Sequence, residues 1–185
     1  MSDGCEKMSK QDPVKLVASI IFRDNKYLEY AVKKLRNAYG DIEPLTWSGP
    51  FDFTDYYRSE FGSPLQRRLL CFKKLVSVSG IFRVKKLTNR IEDKTRIKGN
   101  RNVNIDPGYI TEAKLVLLTT KDYMHRIYLD RGIYAETTLC YQSNGFKAWP
   151  WTYPDYASPA LGGYFNEVRS LYRKDLFAGR NNAPE

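Results

Sequence analysis

The chain has 185 residues, 42% hydrophobic and 14% aromatic, with a formal net charge of +9. This suits one domain with a single packed core, and the longest strong apolar run, LVASIIF at 16–22, falls far short of the roughly 20 residues that span a membrane. Three scattered cysteines (Cys5, Cys71, Cys140) without CxxC spacing argue against a disulfide framework or zinc cluster, and a single histidine, His125, argues against paired-histidine metal centres.

The opening MSDGCEKMSKQD is polar and mixed in charge, unlike a secretory or transit peptide. The expected organisation is a disordered segment over 1–12, one α+β domain over 13–178 and a frayed tail over 179–185. The expected location is cytoplasmic, with no membrane partner.

VKLVASIIF at 14–22 is β-branched and apolar, a central strand. Asp24 or Asn25 then caps a helix carrying Leu28, Ala31, Val32, Leu35 and Tyr39 at helical spacing, closed by Gly40. IEPLTWS at 42–48 is a second strand, and Pro44 puts it at an edge or an irregular start. FDFTDYYRSEF, between Gly-Pro and Gly-Ser-Pro, is an aromatic loop or extended piece. A strand at 66–75 follows, then a helix capped by Ser79 with Ile81, Val84, Leu87 and Ile91 on its buried face. NVNID at 102–106 is a short strand stopped by Pro107-Gly108.

This order is the ferredoxin-like βαββαβ plan, two helices on one face of an antiparallel sheet. Residues 112–119 fit either a strand or a buried helix. A hairpin over MHRIYL-DRG-IYAETTLCY turns at Gly132 and extends the sheet. With Leu129 facing Ile133, Arg126 lies opposite Glu136, and His125 shares the apolar side with Ile127 and Leu129. An aromatic, Pro-rich flap at 146–163 precedes a closing helix over 159–177.

The segments FDFTDYYRSEFG, LTNRIE, RNVNIDPGYI, TTKDYMHRIYL, GIYAETTLCY and WTYPDY occur in this order. Together they resemble an uncharacterised prokaryotic family catalogued as domain of unknown function 4416, over about Pro13 to Phe177. The resemblance implies membership and carries no activity, cofactor or site residue with it. The sequence has no GxxxxGK[ST] loop to cradle nucleotide phosphates.

The candidate sites come from the residues alone. In NIDPGYIT, Asn104 and Asp106 share a strand face; the stretch is either a plain strand end and turn or a cleft with Arg101 or Lys121 nearby. Arg126 and Glu136 form a cross-strand pair, and with Tyr128 and Tyr134 they make a polar face suited to a ligand. His125 is a hydrogen-bonded core or edge histidine or, after a one-residue slip, a proton-transfer group on that polar face. Lys85, Asn89 and Glu92 make a helix stripe that is a solvated face or the rim of a site.

Eight Lys/Arg and two acidic residues lie between Arg83 and Arg101, a basic stripe able to face an anion. The first functional expectation is therefore an anion-binding protein, with nucleic acid, and RNA first, as partner. The alternatives are a small enzyme acting on a nucleotide or phosphorylated molecule and a homo-oligomeric interaction protein. In the enzyme reading Asp106, Glu136 and His125 are the catalytic candidates, and a divalent metal such as magnesium is held by carboxylates.

Overall fold

The computed structural model describes residues 11–54 and 56–181. The first strand, β1 (Val14–Phe22), is buried at every position, which requires cover on both faces of the sheet. Leu16, Ala18, Ile20 and Phe22 face helix α1 (Asn25–Tyr39) and helix α3 (Phe82–Lys94), where Leu28, Ala31, Leu35, Val84 and Ile91 close the core. On the other face Val17 meets helix α4 (Pro159–Asn181) through Leu161, Tyr164, Phe165 and Val168. Further along that face Ile21 packs on Phe51, Phe61 and Leu65 beside the short helix α2 (Arg58–Phe61).

Local chemistry explains the helix ends. Asp24 accepts a hydrogen bond from the Lys26 N–H at 3.0 Å, and Gly40 takes the left-handed conformation that ends α1. The expected Ser79 cap of α3 is not made. Gly80, at φ +72°, turns the chain between Ser79 and the helix, and the Ser79 N–H donates instead to Ser77 Oγ.

The described residues form one antiparallel eight-stranded sheet. Its remaining strands are β2 (Ile42–Pro50), β3 (Gln66–Val76), β4 (Val103–Ile110), β5 (Lys114–Thr119), β6 (Ile127–Asp130), β7 (Ile133–Gln142) and β8 (Gly145–Ala148). The order is β2-β3-β1-β4-β5-β7-β6, with β8 also on β7. Pro44 sits in edge strand β2 where its register shifts, as its missing N–H requires. Residues 114–119, open between strand and helix in the sequence, are strand.

Asp-Pro-Gly does not end a strand. β4 runs through it to Ile110, which corrects the expected stop at Asp106. Gly108 is needed here for proximity: a Cβ would collide with the Val116 carbonyl oxygen and come within 2.8 Å of Leu117 Cδ2. Gly108→Ala is therefore expected to destabilise the fold by about 1–3 kcal/mol, the usual cost of overpacking, read as a lower denaturation midpoint. β4 pairs with β5 only over 108–110. Pro107, with no N–H to give, stands where that ladder stops, and beyond it the two strands part.

The hairpin of β6 and β7 turns on Arg131 and Gly132, both at positive φ. Ile127 pairs with Ala135 and Tyr128 with Tyr134, a register that runs on to bring Arg126 level with Glu136, as expected, but Leu129 does not face Ile133: the ladder shifts there and Asp130 takes that place. On β6 the expected apolar side is not core: Ile127 is 72% exposed on the outermost strand, whereas Ile133 on β7 is buried. Helix α4 continues to Asn181, past the end expected for it, and Arg180 pairs with Asp12. The rest of the expected disordered start and frayed tail, at 1–10 and 182–185, lies outside the described residues. No helix among those described is long and apolar enough to cross a membrane.

Candidate functional site

Strand register alone brings the polar candidates onto one face. Arg67, Ile21 and Asn104 lie side by side across β3, β1 and β4, and Ser19 and Asp106 form the next row. Gly108, Leu117 and Glu136 continue the same face across β4, β5 and β7. Above this floor stand the aromatic loop (Phe51, Phe53, Tyr56, Tyr57), the β5–β6 connection (Lys121, Tyr123) and the flap (Tyr153, Asp155, Tyr156). Together they enclose a cavity of about 480 Å³, within the roughly 300–1,000 Å³ of small-molecule sites.

Helix α3 packs on the opposite face, yet Lys85, Asn89 and Glu92 reach this cavity. They do so where β4 and β5 part. The backbone of Ile105 has no strand partner there, and α3 supplies one: Glu92 Oε1 accepts its N–H at 2.9 Å, and Lys85 Nζ donates to its carbonyl at 2.8 Å. Lys85 and Glu92 are accordingly buried, a correction to their reading as a solvated face. Asn89, one turn on from Lys85, is half-buried on the same stripe and makes no hydrogen bond among the described residues.

Charges in the cavity are mostly answered within the protein. Arg101 grips Glu60 with Nε and Nη2 at 2.9 and 2.8 Å, and also donates to Glu92 Oε2 at 2.7 Å and Asn104 Oδ1 at 3.2 Å. Those hydrogen bonds from Arg101 hold the Glu60 carboxyl below its ordinary pKa, whereas burial pushes that of Glu92 up against the pull of Lys85. Arg67 pairs with buried Asp155 and lies over the rings of Phe51 and Tyr156. Glu136 Oε2 accepts from Arg126 Nε at 2.8 Å and faces His125 Nε2 at 3.1 Å.

Asp106 differs. Its side chain is 33% exposed; Asn104 Nδ2 donates to it at 2.8 Å and Lys85 Nζ stands 3.5 Å away. Lys121 is exposed, its ammonium 4.7 Å from the centre of the Tyr56 ring.

The cavity thus collects Asp106, Glu136, Arg101, Asn104, Lys121, Arg126, Lys85, Asn89 and Glu92. Three candidates fall outside it. Tyr128 and Tyr134 pair at the outer end of the sheet and pack edge-on with each other at 5.4 Å, away from the cavity. His125 is a hydrogen-bonded residue at the sheet edge, facing Glu136 from a turn closed by the Arg126 N–H on the Tyr123 carbonyl, so strand alternation does not govern it. It stacks on Trp151 at 5.3 Å, and Trp151 stacks on Trp149 at 5.2 Å.

Those indoles belong to a pinned flap. β7 carries one extra residue, Thr138, in its ladder with β5. Trp151 Nε1 and Thr152 Oγ1 donate to the carbonyls of Thr137 and Thr138 at 3.0 and 2.6 Å. Among the described residues no group of three or more His, Cys, Asp or Glu is arranged to hold a metal ion.

Arg67 and the aromatic loop are site residues that sequence reasoning passed over, and Asp155 and Tyr156 were read there only as part of the flap. One signal was present: Arg67 alternates with Leu65, Leu69 and Cys71, so it occupies an apolar strand face and requires a buried partner. No curated protein and no solved structure gives a significant match to the chain. A family model matches residues 12–172, and the chain belongs to that family, described as a domain of unknown function (DUF4416).

Proposed function

We propose that the cavity binds a small, ring-bearing polar ligand of the nucleotide class. The observation that carries this reading is the convergence of aromatic rings and both signs of charge on one pocket of about 480 Å³. Phe53, Tyr56, Tyr123 and Tyr153 are exposed around it and offer flat faces for a heterocycle. Lys121, whose ammonium lies beside the Tyr56 ring and in no ion pair among the described residues, is suited to a phosphate oxygen. Asn89 and Asp106 offer hydrogen bonds to a ring edge. Glu92, Glu136 and Asp155 are bound up with cations, so acid–base chemistry on the ligand falls to Asp106. For the scaffold, the antiparallel order β2-β3-β1-β4 with α1 and α3 on one face supports the ferredoxin-like layout, with β5 to β8 as its extension.

Nucleoside mono- and triphosphates are expected to raise the melting temperature of the wild type, because a ligand that binds only the folded state stabilises it. Asp106→Asn is expected to weaken that response at least tenfold in ligand concentration while leaving the unliganded midpoint nearly unchanged. A panel that shifts neither protein would remove the reading.

A second reading has its own observation. Arg83, Arg90, Lys94, Arg96 and Lys98 are exposed along α3 and the turn after it, a surface suited to a nucleic-acid backbone, RNA first. Oligonucleotide binding that weakens steeply with salt and is lost on reversing Arg90, Lys94 and Lys98 to Glu would support it. Equal affinity at low and high salt would count against it.

A further inference from the structure

The deepest part of the cavity holds a feature that the protein's own pairing leaves unexplained. Arg67 and Tyr156 both line it, and both are at least 95% buried. Yet Arg67 Nε and the Tyr156 hydroxyl have no hydrogen-bond partner. Directly beneath, the buried Ser19 hydroxyl lies near that of Tyr156, in a crevice with no room for a water molecule. Buried polar atoms without partners are uncommon in folded proteins, and Arg67 Nε and the Tyr156 hydroxyl on one cavity floor mark a place meant for polar atoms from outside the chain.

Charge narrows what those atoms are. Arg67 is already neutralised by Asp155, and Asp106 adds a further carboxylate beside the same floor. An anionic group placed there would meet two carboxylates whose cations, Arg67 and Lys85, are already engaged with them. A neutral hydroxyl meets no such penalty. It accepts from the Arg67 Nε–H and donates to the Tyr156 oxygen, and a neighbouring hydroxyl donates to Asp106.

We infer that the cavity floor formed by Arg67, Tyr156 and Asp106 is a hydroxyl-reading subsite that takes the sugar diol of the ligand. This rests on the nucleotide-class reading above and adds to it a preference for ribose over 2′-deoxyribose. The flat base then lies toward the aromatic mouth and the phosphate toward Lys121.

Calorimetric titration of the four ribonucleoside monophosphates and their 2′-deoxy counterparts tests this. The wild type is expected to bind the best ribonucleotide about tenfold more tightly than its deoxy form, equivalent to about 1.4 kcal/mol or one lost hydrogen bond. Tyr156→Phe keeps the ring that stacks on Phe165 and removes an unpartnered hydroxyl, so it is expected to fold like the wild type. In that variant the ribose preference is expected to shrink toward one while deoxynucleotide affinity holds. Equal binding of both sugars by the wild type would overturn the subsite and leave the nucleotide reading standing. Binding of neither would overturn both.

Discussion

Replacing Arg67 by Met is expected to lower stability by about 3–5 kcal/mol, enough to threaten folding of a single domain whose total is roughly 5–15 kcal/mol. Asp155, at 5% exposure, would be left with a buried charge and no cation. Asp155 belongs to the flap and Arg67 to β3, so the loss also unfastens the segment that roofs the cavity. The double replacement Arg67→Met with Asp155→Leu is expected to recover much of the stability, because removing both members of a buried pair spares the unpaired charge. Urea denaturation of the three proteins measures this. A single variant within about 1 kcal/mol of wild type would mean that the pair does not hold the flap.

Glu92→Ala is expected to cost a similar amount, about 3–5 kcal/mol, for a different reason. Glu92 performs the work of a missing strand: it satisfies the Ile105 N–H and joins β4 to Arg101. Alanine leaves a buried N–H unpaired and opens the sheet where β4 and β5 part. Amide exchange at Ile105 is expected to quicken with the fall in midpoint. An unchanged exchange rate would show that another group takes over.

The same bracket sets a pH dependence. Glu60, held below its ordinary pKa by the Arg101 hydrogen bonds, adds stability above its unfolded-state value, and that stability is lost as pH falls through the lowered folded value. Glu92 works the other way. Its pKa is raised by burial, so its share is present below the unfolded-state value and fades as pH rises through the folded one. Between these two carboxylates the acid-side loss of stability belongs to Glu60, and Glu60→Gln is expected to reduce it in a pH series of melting temperatures.

These residues also mark where sequence reasoning reaches and where it stops. β1 was legible because eight apolar or small positions around one lysine can only be a strand covered on both sides. Even that lysine is consistent: Lys15 is fully buried between Glu43 and Asp175. The hairpin register was legible from Gly132 and from the opposite charges of Arg126 and Glu136. The inward course of Lys85 and Glu92 was not. A charged stripe beside an apolar one on a helix normally faces water; here it turns inward because Ile105, paired with β1 on one side, lacks a strand neighbour on the β5 side, and a gap between strands leaves no mark in local periodicity. The place of His125 depended on a turn rather than on strand alternation. The aromatic loop and the flap meet over the sheet from residues about 100 apart in sequence, so their convergence is a property of the sheet order.

The central claim is that one cavity, and not the outer surface of α3, receives a nucleotide-class ligand. The most direct measurement is a titration of nitrogen-15-labelled protein with the four ribonucleoside monophosphates, following every backbone amide. Shifts are expected to gather at Lys85, Asn89, Asn104, Asp106 and residues 117–123, and to saturate together. Shifts confined to the outer residues Arg90, Lys94 and Lys98, or a spectrum unmoved at millimolar ligand, would contradict it.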